Sequence, residues 1–396
     1  MINKMEKGQS MVLITGLLFA FFAILALVLD GGFLYYMRRN AQNAADAGAL
    51  AGADDLCKFK DTGKAVGVAE STALDNGVYT ALANATLANP GGYVEVNTTI
   101  EYQSFFARLL NLNTAYPPAY AKAGCAPPGA GVGVLPVAWS CRPPNAGEQS
   151  DSDDCTLHYM NGDECSLDDD PMYIVVDSDT IEEDIYCQDP PNSGQPDPEY
   201  LDCDFDNDGV NDITPLSGGN RSWLNLDGSQ NLPCGGGGAD ELNCWIDNGF
   251  PGTIVPHTWI AGSTGAKTAV YQTVHDYLHG EFIIPVFNDL CPEGLPNDKC
   301  PGQMHDEDKI VVLNGSADYF HIISFSYFHI ECVNASPFPL ASEPSCDVHD
   351  YLENQGVLKD NVKTIEGCFV EGFANSIGGD PGQGIDAGVY TIFLME

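Results

Sequence analysis

The segment DFDNDGVND spaces its carboxylates as calcium-binding loops do. Calcium is held by oxygen ligands, and such loops supply side chains from their first, third, fifth and ninth positions and a backbone carbonyl from the seventh. Here the side chains are Asp204, Asp206, Asp208 and Asp212, and the carbonyl is that of Val210. The pattern predicts a structural calcium site, and calcium is the one cofactor that the sequence indicates.

The end of this loop differs from an EF-hand. An EF-hand needs a bidentate Glu at its twelfth position, where this chain has Pro215. We therefore expect a loop of the extracellular-repeat kind, completed by water or by a ligand from another segment, that makes the chain more rigid. A solvated acidic turn without an ion is the alternative.

The segment HDYLH holds two histidines at the spacing that zinc proteases use on one helix face. Such enzymes need Glu after the first His as general base, whereas Asp276 follows His275 and is one methylene shorter. The sequence identifies no third ligand beside His275 and His279. Two histidines on a surface or packing helix are the favoured interpretation, and a zinc hydrolase is a remote alternative.

Motif and composition together disfavour several function classes. The chain has no nucleophile elbow, phosphate-binding loop or dinucleotide fingerprint, so we predict no catalytic residues and no enzyme. It carries 56 acidic and 16 basic residues, a net charge of −40. Such a surface repels nucleic acid and anionic lipid headgroups, so nucleic acid is not an expected partner.

The N-terminal region contains an apolar segment long enough to cross a membrane. Residues 11–29 contain no charge and follow Lys4 and Lys7. As a helix they extend roughly 28 Å, about the thickness of a bilayer core, and they exceed the apolar core of a cleaved signal peptide. We predict a cytoplasmic N-terminus at 1–10, a transmembrane helix at 11–30 and an extracytoplasmic remainder, anchored in the cytoplasmic membrane.

The 14 cysteines all follow the apolar segment, in loops rich in Gly, Pro and Asp. No CxxC pair occurs among them, so disulfides formed in an oxidising compartment are the expected use. Proximity along the chain suggests these pairs: Cys155–Cys165, Cys187–Cys203, Cys234–Cys244, Cys291–Cys300 and Cys332–Cys346.

A helical stalk and a small α/β unit are predicted at 31–124. Small residues recur every three or four positions at Ala41, Ala44, Gly48 and Ala51, a stripe that permits close helix packing. Its partner is either another helix or the protein's own domain; a solvated helix rich in Ala is the alternative. Further elements expected here are a helix at 63–87, a strand at 93–103, a short helix at 104–112 and a linker at 117–131.

Residues 125–396 are predicted to form an acidic, Cys-rich domain dominated by β-strands, with long loop insertions. The expected elements are a helix at 264–280 and strands at 132–139, 173–177, 281–288, 309–314, 318–333, 364–374 and 387–396. Trp223, Trp245 and Trp259 are interpreted as buried anchors rather than a carbohydrate platform. The fold class is therefore α+β with a mainly antiparallel sheet behind an N-terminal transmembrane helix and stalk.

The run KGQSMVLITGLLFAFFAILALVLDGGFLYYMRRNAQNAADAGALAGA resembles the N-terminal module of tight-adherence (Tad, Flp-type) pilus-assembly proteins, the TadE/TadG-like minor pseudopilins. The shared features are the basic-Gly-Gln start, the apolar run, Asp-x-Gly, an aromatic residue, Arg-Arg and Gln-Asn-Ala-Ala-Asp-Ala. FARLLNL, GNRSWLNLDG and the C-terminal GCFVEGF and DAGVYTIFLME resemble the extracellular part of these proteins more weakly.

The resemblance also implies a possible proteolytic processing site. Pilins of this type are cut after a Gly and carry Glu at the fifth mature position. A cut after Gly8 would make Gln9 the first residue and Leu13 the fifth, so the carboxylate is missing. This matches the TadG-like pattern rather than the TadE-like one.

The function implied by the resemblance is structural. A single-pass component of a Tad pilus or secretion apparatus would act through contacts with other pilins, pseudopilins and membrane proteins of the assembly machine. A calcium-dependent cell-surface adhesin or extracellular filament subunit that uses the same anchor is the alternative.

Overall fold

The computed structural model of the chain describes residues 9–88, 91–140, 173–176, 186–187, 200–201, 223–226, 234, 238–263, 268–291, 319–340, 342–343, 345–354, 362–370, 372–373 and 388–395. The chain divides into two compact units. The first comprises Met1–Cys125 and Ile392–Glu396, and the second comprises Ala126–Thr391. Both contain helices and antiparallel strands, so the mixed α and β content is confirmed.

The first unit begins with one long helix, α1 (Gln9–Phe59), of roughly 76 Å at about 1.5 Å per residue. Its first half is apolar and exposed, whereas its second half buries one face. The helix ends where Lys60 adopts a left-handed conformation, φ 52°. Asp61 then caps α2 (Thr62–Asp75) by accepting hydrogen bonds from the N–H groups of Gly63 and Lys64, at 2.8 and 3.1 Å.

The strands after α2 are β1 (Thr80–Leu87), β2 (Gly92–Thr99), β3 (Tyr102–Gln103), β4 (Thr114–Ala115) and β5 (Pro118–Ala126). β1, β2 and β5 pair antiparallel in that order. β3 and β4 pair as a short hairpin, and a 3₁₀ turn at Ala107–Leu110 lies between them. Alternate residues of β2, namely Val94, Val96 and Thr98, are buried, and the Thr98 hydroxyl donates to the Ala41 carbonyl at 2.9 Å.

Three predictions for this unit are wrong. The helix expected at 63–87 ends at Asp75, because Gly77 takes φ 84° and the chain reverses into β1. The linker expected at 117–131 begins as strand β5, whose backbone groups pair with β2. The short helix expected at 104–112 is a single 3₁₀ turn, which the left-handed Asn111 (φ 64°) ends.

The second unit contains β6 (Trp139–Ser140), β7 (Tyr173–Val176), β8 (Tyr186–Cys187), β9 (Tyr200–Leu201), α3 (Ala239–Asn248), β10 (Thr258–Ala261), α4 (Thr268–His275), β11 (Glu281–Cys291), β12 (Tyr319–Asn334), α5 (Asp347–Asn354), β13 (Thr364–Val370), β14 (Gly372–Phe373) and β15 (Val389–Met395). The main sheet has the order β6-β11-β12-β13-β7, and β10 also pairs with β12. All these pairs are antiparallel except β6–β11. β15 begins in this unit and continues into the first.

Aromatic side chains fill two core clusters of the second unit. One includes Trp139, Tyr271, Phe328 and Phe369, and the other includes Trp245, Trp259, Phe287, Phe320 and Phe325. β12 contributes to both, with residues between 319 and 325 in the second cluster and residues between 328 and 333 in the first. Burial of Trp223, Trp245 and Trp259 confirms that they are anchors.

Several elements of the second unit differ from prediction. The helix expected at 264–280 is restricted to α4, which ends at His275 and is followed by turns. The residues expected to form a strand at 132–139 are mostly buried, yet they make only isolated bridges before β6. Helices α3 and α5 and strand β10 were not predicted. The strand expected at 309–314 lies outside the described residues.

Disulfides occur in both units. Cys234–Cys244 and Cys332–Cys346 confirm two of the pairs predicted from proximity. The predicted pairs Cys155–Cys165, Cys187–Cys203 and Cys291–Cys300 involve residues or side chains outside the described set. In the first unit, Cys57 at the end of α1 is bonded to Cys125 on β5, across 68 residues.

Candidate anchor junction

The N-terminal half of α1 has the properties of a membrane-spanning segment. It includes an 18-residue window with mean hydropathy 2.9, of which none is buried. Large apolar side chains along it are exposed, for example Phe19 at 79% and Leu27 at 75%. The described part of the protein leaves this surface uncovered, unlike that of a core helix in a soluble protein. By length and composition α1 is therefore a candidate single-pass anchor.

Asp30 lies at the end of this apolar surface and binds the loop between β3 and β4. Its Oδ1 accepts hydrogen bonds from the Tyr102 hydroxyl at 3.0 Å and the Phe105 N–H at 2.9 Å. Its Oδ2 accepts from the N–H groups of Phe106 at 3.0 Å and Ala107 at 2.6 Å. We call this arrangement the Asp30 clamp.

The clamp satisfies backbone groups that the loop cannot satisfy itself. The first N–H groups of a helical turn have no partner within the turn, and a side-chain oxygen at the cap usually accepts from them. Phe106 occupies the cap position here and offers no such oxygen. Asp30 supplies it from α1, 77 residues from Ala107, so the charge-assisted bonds fix the loop to the helix.

Tyr102 completes the clamp as a proton donor. Its side chain is only 4% exposed. Burial, followed by the hydrogen bond to the Asp30 carboxylate, raises the pKa of Tyr102 above its usual range. The phenol therefore stays protonated at neutral pH and keeps donating to Asp30.

The loop held by the clamp is rich in apolar residues, and Arg108 is its one charged residue. We call residues 105–112 the apolar loop; the exposed fractions are 53% for Phe105, 38% for Phe106 and 63% for Leu112. The rings of Phe33 and Phe105 lie 5.4 Å apart. A groove of about 810 Å³ separates the loop from α1, and Phe22, Ala26 and Leu27 face Phe106 and Leu112 across it. The apolar loop thus lies alongside the last apolar turns of α1.

The second half of α1 packs against α2 and β2 through small residues. Ala41, Ala44 and Gly48 are buried, and Ala51 is half-buried. A Cβ added at Gly48 would lie 2.7 Å from the Ala69 carbonyl oxygen. The stripe therefore faces the protein's own helix α2, with backbones too close for a larger residue.

The comparison with known families matches this region. Residues 8–55 fit the family model described as putative Flp pilus-assembly TadE/G-like. This N-terminal segment is therefore similar to the TadE/G-like pilus-assembly family. No curated protein and no solved structure matches the chain.

The match confirms the resemblance found in the sequence and assigns it to an element of the fold. The segment that matches the TadE/G-like model covers the apolar half of α1, Asp30 and the small-residue stripe. It also ends close to Cys57, which the disulfide fixes to β5. The clamp therefore joins the matched segment to the rest of the first unit.

Other predicted site residues lie elsewhere. Asp204, Asp206, Asp208, Val210 and Asp212 of the calcium loop, and Gly8 of the processing site, are outside the described residues. Gln9 is the first residue of α1.

The two histidines of HDYLH do not share a helix face. His275 ends α4, bonds to Glu343 at 3.0 Å and stacks on Phe338. His279 follows the turns, with φ 60°.

Asp30 could be recognised from the sequence as a site residue, but its hydrogen-bond donors could not. An Asp directly after an apolar run is a visible signal, because a carboxylate at a membrane boundary needs hydrogen-bond donors. Its donors lie more than 70 residues away on a loop that has no local capping motif. The β3–β4 hairpin carries these donors to Asp30.

Proposed function

We propose that this protein is a membrane-anchored component of a Tad/Flp-type pilus or secretion apparatus, a minor pseudopilin that works through protein contacts rather than catalysis. The Asp30 clamp is the observation that carries the proposal. The four hydrogen bonds to Asp30 hold the folded part of the first unit at the end of the apolar segment of α1. A subunit that links a membrane to an external assembly needs such a rigid junction. The match to the TadE/G-like family supports the same assignment.

The exposed apolar half of α1 is the surface for partners in this proposal. The small-residue stripe of α1 packs against α2. Contacts with other subunits would therefore be made by the apolar residues that precede the stripe. Other pilins, pseudopilins and membrane proteins of the assembly machine are the expected partners, with the N-terminus in the cytoplasm and the two units outside.

In this proposal the apolar loop makes a second contact with the membrane, next to the anchor helix. It carries exposed Phe and Leu side chains beside the last apolar turns of α1. Apolar side chains at that level gain free energy by leaving water for lipid. We propose that the loop enters the outer leaflet, so that the unit is held at two points instead of swinging on one helix.

A complementation experiment tests the function. Cells deleted for this chain would be complemented with the wild type, Asp30→Ala or Asp61→Ala, and surface pili counted by electron microscopy alongside the amount of the chain in membranes. Asp61 is the matched control, because it caps its own helix α2 by a local pair of hydrogen bonds.

We expect the deletion to abolish pili and Asp30→Ala to reduce them severely at an unchanged membrane level, with Asp61→Ala close to wild type. Normal pilus numbers in the deletion strain would contradict the proposal. Normal pili with lost surface attachment would instead favour the calcium-dependent adhesin or filament subunit.

A second experiment tests the position of the loop. Leu112→Trp and Leu82→Trp compare two side chains of similar exposure, 63% and 68%, of which only the first lies on the apolar loop. In bilayers with brominated acyl chains we expect quenching of the Trp at position 112 alone. Equal quenching at the two positions would contradict insertion of the loop.

A further inference from the structure

Three metal-binding side chains meet beside strand β12 of the second unit, and the proposed function does not use them. One ligand atom each of His279, His329 and Glu331 lies within 4.8 Å of the others. His279 Nδ1 and His329 Nε2 are 3.6 and 3.5 Å from the same Glu331 Oε2. We propose that these three residues bind one divalent transition-metal ion, for which zinc is the best fit.

The distances suit shared coordination better than direct hydrogen bonding. A hydrogen bond between nitrogen and oxygen spans about 2.7–3.2 Å, and both separations are longer. In tetrahedral zinc sites with bonds of about 2.0–2.1 Å, neighbouring ligand atoms lie roughly 3.3–3.4 Å apart. The two nitrogen–oxygen separations are therefore close to two edges of such a tetrahedron.

The backbone of β12 is distorted at this point. The register with β13 shifts between Ile330 and Cys332, which leaves Glu331 as the extra residue of a β-bulge. A bulge redirects a side chain out of the regular ladder and is frequent next to functional sites. Gly367 on β13 accommodates the bulge, because an added Cβ there would overlap the His329 carbonyl oxygen.

The third ligand is held by an unusual conformation. His279 has φ 60°, which is uncommon for a residue with a side chain. Its N–H donates to the Ile330 carbonyl at 2.8 Å, and the Ile330 N–H donates to the Gly280 carbonyl at 3.1 Å. This pair of bonds fixes the turn against β12, so that His279 lies beside His329 and Glu331.

Exposure and ligand chemistry indicate which ion would bind. The side chains are 11% exposed for His329, 25% for Glu331 and 60% for His279, so an ion and a water ligand can enter. Glu281 lies opposite His329 in the β11–β12 register and offers a further carboxylate. Two imidazoles favour zinc and similar metals, whereas calcium prefers an all-oxygen set. The ion would fasten the turn after α4 to the sheet.

This site is distinct from a protease-type pair in HDYLH. His275 is instead bonded to Glu343 and stacked on Phe338. Because it also forms a histidine–carboxylate pair, but without a third ligand among the described residues, His275→Gln is the matched control.

The test is zinc binding by full-length protein in detergent, stripped with a chelator and titrated by calorimetry in excess calcium. We expect one zinc ion per chain. His329→Gln and Glu331→Gln should each weaken its binding by at least about tenfold, since even outer-shell losses have effects of this size. His275→Gln should bind as the wild type does.

Cobalt substitution gives an independent measurement. Cobalt in the wild type should show the visible absorption of a four-coordinate site, which Glu331→Gln should lose. The proposal is overturned if the wild type binds no zinc, if both Gln variants at 329 and 331 bind it unchanged, or if bound cobalt shows only the weak spectrum of a hydrated six-coordinate ion.

Discussion

The helices of the first unit bury small side chains, whereas the second unit buries large aromatic ones. Facing positions of α1 and α2 include Ala45, Ala49, Ala65, Ala69 and Ala73. The largest fully buried side chains of the second unit are Trp223, Trp245, Tyr271, Phe287, Phe320, Phe325, Phe328 and Phe369. One unit thus achieves close packing by bringing backbones together, and the other by filling space with rings. The two should fail under opposite kinds of substitution.

The largest effect is expected from removing a ring in the second unit. Phe328 is 2% exposed and packs edge-on against Phe369. Phe328→Ala leaves a cavity and should lower the free energy of unfolding of this unit by about 3–5 kcal/mol. Leu340→Ala, at a side chain 43% exposed, is the control and should have little effect. Denaturant titration followed by Trp fluorescence measures both, and equal effects would contradict the packing account.

The two units also differ in the length of chain that their disulfides close. Cys57–Cys125 closes a loop of 68 residues, and Cys332–Cys346 closes one of 14. In the chain-entropy model, replacing each pair by Ala should destabilise its unit by about 4 and about 3 kcal/mol respectively. Limited proteolysis with mass spectrometry reports on each unit separately. A larger loss from the shorter loop would show that the entropic argument fails here.

Adding one methyl group should damage the first unit. At Gly48 a new Cβ would lie 2.7 Å from the Ala69 carbonyl oxygen and 3.0 Å from the Ala73 Cβ. Gly48→Ala should therefore cost about 1–3 kcal/mol by overpacking.

Gly67 on α2 is the matched control, because no atom lies within 4 Å of a Cβ there. Gly67→Ala should stabilise the helix by up to about 1 kcal/mol. Amide exchange of α1 and α2 peptides measures the two variants, and a shift in the same direction for both would break the comparison.

The last effect is a dependence of stability on pH in the second unit. Glu366 is fully buried, and burial raises its pKa from 4.5 to about 8, although the N–H groups of Val348 and His349 donate to it. Between these pH values the folded state holds the proton that the unfolded state releases. Stability should therefore fall as pH rises through that window, by at most about 1.4 kcal/mol per pH unit.

Glu366→Gln should remove this part of the pH dependence, whatever its effect on stability at one pH. Unfolding titrations of the wild type and the variant at several pH values between 5 and 8 compare the slopes. Identical slopes would show that Glu366 does not titrate in this range.

Local pattern explains what the sequence could predict. The uninterrupted apolar run predicted the exposed half of α1, and alternation predicted most of β12, because each depends on neighbours in the chain. Proximity likewise predicted Cys234–Cys244 and Cys332–Cys346. The boundary between α2 and β1 was missed although Asn76-Gly77 is a turn signal, because TALANATL contains no Gly or Pro and its Ala and Leu residues favour a helix. Its strand conformation depends on pairing with β2.

Most features that the sequence could not predict depend on contacts between residues far apart in the chain. Cys57–Cys125, the donors to Asp30 and the approach of His279 to Glu331 all join segments that no local pattern relates. In each case a strand pairing or a bulge, set by the rest of the fold, brings the groups together. The segment 117–131 shows the same limit, since its Ala and Pro content favours a linker and only β2 makes its first part a strand.

The Asp30 clamp is tested most directly by amide exchange of the chain reconstituted in lipid nanodiscs. The N–H groups of Phe105, Phe106 and Ala107 should be protected in the wild type. They should exchange roughly 10- to 100-fold faster in Asp30→Ala, because hydrogen bonds to a charged group contribute about 1.5–3 kcal/mol. Asp61→Ala should leave them protected. Exchange at these three groups that is equally fast in the wild type and in Asp30→Ala would contradict the clamp and the rigid junction built on it.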